Sequence, residues 1–263
     1  KTLFPYTTLF RSSAVMAYLL AMPTSVDMVK IVLLSFGGFL VTGSSNAINQ
    51  IIEKDIDKLM NRTKERPLPA GRMTLVEACL IAGISGIAGI LVLGFAFNSL
   101  SGLLGALALI SYGFIYTPFK RISPAVVFIG GVPGSMPLLI GWTAATGTIG
   151  LGGIILFIIQ FFWQIPHFWA IAWLLNDDYK RGGYNLLPAP SEKNNITALQ
   201  NIPYLVCLIA VSILPYVFGF TGIISLVVAI IAGVYFLMTG IQLATDVTDK
   251  SAKRLMFASF AYL

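Results

Sequence analysis

The sequence predicts an all-α membrane protein, a polytopic bundle of transmembrane helices, and three observations carry that expectation. Of the 263 residues 57% are hydrophobic and 11% charged, and the mean hydropathy is +0.84, whereas an average soluble domain is about a quarter charged. Apolar runs of the roughly 20 residues that cross a bilayer recur along the whole chain. The remaining charge is gathered in a few short connections. No soluble fold uses so many uninterrupted apolar runs, and the alternating ten-residue segments of a membrane β-barrel are absent.

Taken in order, the complete runs lie at about residues 29–48, 76–97, 99–117, 124–146, 149–175, 202–220 and 222–245. Shorter runs at about 13–22 and from 252 onward flank them. Nine spans are therefore expected in the parent protein, with the first and last truncated here. The start has its own reading. Residues 2–12, TLFPYTTLFRS, match the in-frame translation of a widely used short-read sequencing adapter, and they lack the apolar segment and small-residue cleavage site of a signal peptide. Residues 1–12 are expected to be an adapter-derived artefact and residues 13–263 a single transmembrane domain, truncated at its C-terminal end. Resequencing of the source gene is expected to replace residues 1–12 with a segment that completes the first span.

Fourteen of the seventeen Lys and Arg residues fall in four segments, 54–72, 120–121, 180–193 and 250–254. These are alternate connections, and the intervening ones around Asn98, Thr146 and Thr221 carry no basic residue. By the positive-inside rule the charged connections face the cytoplasm of a cell (inner) membrane. The formal net charge of +6 thus reports topology. No basic patch with interleaved aromatics points to nucleic acid. Cys79 and Cys207 sit in apolar spans and read as packing residues, not as a disulfide pair.

The densest charge is NQIIEKDIDKLMNRTKERPL, residues 49–68. Asn49, Glu53 and Asp57 are four apart, so on a helix continuing from the span at 29–48 they share one face. Three oxygen-bearing side chains in a row suit a hard cation such as Mg2+, which takes carboxylates plus substrate phosphates. Asp55 points away from that face. A solvated cytoplasmic helix end is the other reading of the same acids. Arg62, Lys64, Arg66 and Arg72 follow at once, and carboxylates for a metal beside cations for phosphate form a diphosphate-binding combination. A second polar cluster, Asp177, Asp178, Tyr179, Lys180 and Arg181, closes the span at 149–175 on the same side. Two acidic clusters can assist departure of a diphosphate as its charge develops, and an allylic cation left behind could meet aromatic faces such as Tyr112, Tyr116, Trp163, Phe168 and Trp169. The same aromatics also read as packing or interfacial belt residues.

These segments, with YTPFKRISP, GWTAATG and FFWQIPHFWAIAWLLNDDYKRGGYNLLP, resemble the protohaem IX farnesyltransferases, also called haem O synthases, a branch of the UbiA-type intramembrane prenyltransferases. The resemblance runs from about residue 14 to the end of the chain. It implies transfer of the farnesyl group of farnesyl diphosphate to a vinyl group of haem B, with water adding a hydroxyl, to give haem O and diphosphate. Haem O then passes to terminal oxidases, which makes a downstream haem A synthase or oxidase a natural partner. By motif position it implies Mg2+ ligands at Asn49, Glu53 and Asp57 and, for a second site, at Asp177 and Asp178. Arg62, Arg66, Lys120, Arg121 and Lys180 would contact the diphosphate, and Tyr179 would orient one of these groups.

His167, the only histidine, follows Pro166, which opens the preceding turn. An ionisable group inside the membrane is costly unless it faces a cavity. His167 is therefore expected either to hold a structural hydrogen bond or, given a substrate that carries iron, to contact the haem. Two other functions stay open: a sibling prenyltransferase with a quinone-precursor or chlorophyll-type acceptor, and a transporter. The transporter reading would need a helix broken near the midplane, for which Gly130–Gly131 with Pro133 and Pro137 is the candidate.

Overall fold

The structure is a computed structural model that describes residues 4–21 and 27–263, with side chains described from residue 12 onward. The segment expected to derive from an adapter, residues 1–12, falls outside the described residues at positions 1–3 and in all but the last of its side chains. Every regular element among the described residues is helical. In chain order these are α1 Phe4–Ala21, α2 Met28–Ile52, α3 Lys54–Asp57, α4 Leu75–Ala96 and α5 Ser99–Ile110. A π-helical segment, Ser111–Tyr116, leads into α6 Thr117–Phe119, followed by α7 Val126–Thr146, α8 Gly150–Leu174 and α9 Asn176–Arg181. The rest are α10 Asn195–Leu199, α11 Asn201–Ser212, α12 Leu214–Val217, α13 Ile223–Asp246 and α14 Asp249–Tyr262.

Among the described residues seven stretches are long and apolar enough to cross a membrane, and they coincide with the seven runs read from sequence. The sixth differs at its start. It begins at Asn195 and not near residue 202, because the Asn194 side chain accepts from the Thr197 amide at 2.9 Å and caps a helical turn in the polar lead-in. Large apolar side chains cover much of the outward faces; Phe95 is 87% exposed, and Val76, Ile84 and Ile224 are also largely bare. A surface of that kind is stable only against lipid. The protein is a multi-pass membrane protein.

The chain packs as two compact units. The first comprises Lys1–Pro118 and Val132–Phe157. Its core gathers Leu34, Val41, Leu93, Leu104, Leu139 and Ile140. Lipid tails are as apolar as leucine, so helices associate here through close backbone approach and interhelical hydrogen bonds. Gly89 of α4 lies so near α2 that a Cβ there would stand 2.8 Å from the Val41 backbone nitrogen. Close by, Ser44 Oγ donates to the Ala82 carbonyl at 2.7 Å. Asn98 caps α5 by accepting from the Ser101 amide and donates to the Thr143 carbonyl at 2.8 Å.

The second unit comprises Phe119–Gly131 and Ile158–Leu263. Gly240 of α13 leaves room for the Leu205 side chain of α11, and Phe236, Leu208 and Leu255 are fully buried. α13 ends on Val247 in the left-handed region (φ 52°), after which Thr248 caps α14.

Two expectations are corrected. α7 runs unbroken through Pro133 and Pro137, since freed backbone groups in a membrane helix are re-satisfied by neighbours; at the glycine pair, Gln164 Nε2 donates to the Gly131 carbonyl at 3.2 Å. The departure from α-geometry falls instead at Ser111–Tyr116. Cys79 and Cys207 are indeed free, but both are exposed and not packed into the core.

Candidate functional site

In the first unit the polar face begins inside α2. The Glu53 amide bonds the Asn49 carbonyl at 2.9 Å and the Asp57 amide bonds the Glu53 carbonyl at 2.8 Å. Although Glu53 leaves helical geometry and separates α2 from α3, the four-residue ladder continues through it. Asn49, Glu53 and Asp57 are all buried. Asn49 Nδ2 donates to Thr117 Oγ1 at 3.2 Å, a bond that occupies the amide nitrogen and not its oxygen. Thr117 is aimed by the π-helical segment, whose wider turn lets the Tyr112 carbonyl accept both the Thr117 amide and, at 2.9 Å, its hydroxyl.

Asp57 is the most enclosed member, at 0% exposure. Its Oδ2 pairs with Arg66 Nη1 at 2.7 Å, while its buried Oδ1 has no hydrogen-bond partner. Burial pushes the Asp57 carboxyl above its ordinary value, against the opposing pull of Arg66. The loop is locally built to hold this arrangement. Thr63 is buried and its hydroxyl donates to the Asp57 carbonyl at 3.0 Å, Met60 is buried beneath the turn, and a Thr74–Glu77 capping box starts α4. Asp55 faces away and pairs with Lys58 at 2.8 Å in the open. Arg62, Lys64 and Arg72 are exposed, and Arg72 donates to the Glu65 carbonyl.

In the second unit α9 separates two neighbouring acids. Asp178 is buried and pairs with Arg181 at 2.5 Å, whereas Asp177 is exposed. Adjacent helix residues are about 100° apart, so one faces in and the other out. Tyr179 packs edge-on to Tyr184 at 6.3 Å. Lys180 and Arg181 are exposed, and in the turn before α7 Lys120 is half-buried and Arg121 exposed. Within α8, His167 is 1% exposed and stacks on Trp163 with centroids 4.8 Å apart. Its Nδ1 lies 2.7 Å from Ser259 Oγ. Trp169 is buried edge-on against Phe128 and Tyr204, and Tyr112 packs beside Tyr116 in the first unit.

Among the described residues no three His, Cys, Asp or Glu side chains gather as a metal cage. The donor set of the first cluster is two carboxylates and one amide, which suits a cation that completes its shell with substrate phosphate oxygens. Sequence reasoning missed Thr117, Thr63 and Ser259, which hold predicted residues in place. For Thr117 and Ser259 the only signal is a hydroxyl in or beside an apolar run, shared with many helix-bonded serines and threonines, and Thr63 is one uncharged residue in a charged loop.

The UbiA prenyltransferase family model matches residues 11–262. A curated relative from Cytophaga hutchinsonii, named "Protoheme IX farnesyltransferase", is 44% identical over 263 residues, covering 100% of this chain and 92% of its own. An apo UbiA homologue from Aeropyrum pernix K1 shares the fold with a TM-score of 0.79 at 18% identity, covering 100% of this chain and 97% of that one. A UbiA homologue from Archaeoglobus fulgidus, solved with GPP and Mg2+, does so with a TM-score of 0.63 at 16% identity and 98% coverage of both chains. With the buried acid ladder and its arginine in view, the chain belongs to the UbiA prenyltransferase family, on the branch of the protohaem IX farnesyltransferases.

Proposed function

We propose that this protein transfers the farnesyl group of farnesyl diphosphate to a vinyl group of haem B with addition of water, giving haem O and diphosphate. The observation that carries this reading is the end-to-end likeness to a named protohaem IX farnesyltransferase, joined to a buried Asn49–Glu53–Asp57 face that ends on Arg66. In the reaction the bond between farnesyl C1 and the diphosphate oxygen breaks, and diphosphate leaves with the electron pair. C1 bonds one vinyl carbon, water adds its hydroxyl to the other, and a proton is released.

Mg2+ is the cation this chemistry calls for, and the orphaned Asp57 Oδ1 fits it: a buried carboxylate oxygen without a donor carries a free-energy cost that a bound cation would relieve. When bound, the ion supplies positive charge to the diphosphate oxygens. Asn49, Glu53 and Asp57 are the assigned ligands, with Asp177 and Asp178 for a second site. Arg66 steadies Asp57 and, with Arg62, Lys120, Arg121 and Lys180, receives the diphosphate. Tyr179 orients one of these side chains, and His167 meets the haem. The charged connections lie on the cytoplasmic side of the cell (inner) membrane, in keeping with the placement of Lys and Arg. The unbroken α7 gives no support to a transporter.

Membranes carrying the protein, incubated with haem B, farnesyl diphosphate and Mg2+, are expected to yield a haem heavier by a farnesyl group plus a hydroxyl. Unmodified haem alongside prenylation of an added aromatic acceptor overturns the reading.

A further inference from the structure

We infer that Ser259 of α14 is a positioning residue for His167, fixing its imidazole as the Nδ1–H tautomer so that Nε2 is the nitrogen without a proton. The inference follows from counting protons. Ser259 Oγ stands 2.7 Å from His167 Nδ1 and 2.5 Å from the Met256 carbonyl. A carbonyl only accepts, so the single hydroxyl proton of Ser259 goes to Met256. The contact with His167 is then a hydrogen bond only if Nδ1 carries the proton and Ser259 Oγ accepts it.

Both partners are held firmly. Trp163, one turn before His167, donates from Nε1 to the Ser259 carbonyl at 2.7 Å, so two residues of α8 grip one residue of α14. The imidazole plane is set by stacking on Trp163 and by edge contacts with Phe168 and Phe260, whose centroids lie 5.5 and 5.1 Å away. In water imidazole prefers the opposite, Nε2–H, form. A fixed Nδ1–H tautomer presents Nε2 as an acceptor or metal ligand, the arrangement in which a histidine bound to a metal donates its other N–H to an outer group. The tautomer stands on the geometry alone; its use toward haem iron rests on the reading of His167 given above.

Because His167 is the only histidine of the 263-residue chain, 15N-histidine labelling of that chain reports one imidazole, and its two nitrogen shifts show which atom is protonated. The wild type without haem is expected to show Nδ1–H. Ser259→Ala is expected to move the tautomer ratio toward Nε2–H by about tenfold, the factor one buried hydrogen bond is worth, and Ser259→Thr, which keeps the hydroxyl, to restore it. A wild type protonated at Nε2, or a ratio unmoved in Ser259→Ala, overturns the inference. The wild-type and Ser259→Thr spectra decide the matter even if Ser259→Ala does not fold. Titration of haem into the same samples is a separate arm. A tautomer that moves while the Soret band of added haem stays constant leaves the Ser259 inference intact and removes His167 from the haem reading.

Discussion

Asp57→Asn separates function from stability at the centre of the proposed site. The carboxylate is fully enclosed, one oxygen is paired and the other has no donor. An uncompensated buried polar oxygen costs about 1–3 kcal/mol, and more when charged. The compensating partner, Arg66, is itself 21% exposed, so solvent weakens the attraction. Burial wins, which is why the Asp57 carboxyl is raised above its ordinary 3.8. The sign then follows. A raised carboxyl contributes stability that is present below 3.8 and lost as pH rises through the raised value. At neutral pH, without substrate or metal, the charge at residue 57 is a net cost. Asparagine has the same shape, can still accept from Arg66 and carries no charge. The variant is therefore expected to unfold no more easily than the wild type, with a gain of about 1 kcal/mol, and to lose the part of the pH dependence due to this group. Turnover is expected to fall by at least about a hundredfold, because an anionic oxygen facing the cation is gone. Thermal unfolding in detergent from pH 4 to 8, read beside haem O formation by mass spectrometry at limiting Mg2+, measures both. Asp55→Asn, in the exposed Lys58 pair, serves as the control and should change stability by less than about 0.5 kcal/mol and turnover hardly at all. Near-normal turnover for Asp57→Asn would refute its role in the site. A stability loss above about 2 kcal/mol would instead mark Asp57 as a structural ion pair.

Gly89→Ala is expected to destabilise the first unit by about 1–3 kcal/mol, since the new Cβ would sit 2.8 Å from backbone that cannot turn aside; a lowered unfolding temperature checks it, and an unchanged one shows that α2 and α4 slide apart freely. His167→Ala is expected to keep farnesyl diphosphate binding while altering the Soret band of added haem. Full turnover with an unchanged spectrum returns His167 to a packing role against Trp163 and Phe260.

Much of this architecture is legible along the chain because it depends on neighbours in sequence. The spans follow from the length of apolar runs, and the ladder Asn49–Glu53–Asp57 from helical spacing that survives the kink at Glu53. That Asp55 leaves the ladder's face is equally local. Burial is a different matter, because the same helix geometry accommodates an acid in water or in protein. Asp177 and Asp178 are chemically identical neighbours, and only the packing around α9 makes one exposed and the other buried. The choice of Arg66 as partner for Asp57, out of the four cations Arg62, Lys64, Arg66 and Arg72, depends on how the 58–73 loop folds over Met60 and Thr63. Thr117 reaches Asn49 across 68 residues and Ser259 reaches His167 across 92. Contacts that distant leave no periodicity in the sequence. They exist because close-packed helices bring two hydroxyls to the polar atoms that need them, and a hydroxyl in an apolar run otherwise bonds its own helix backbone.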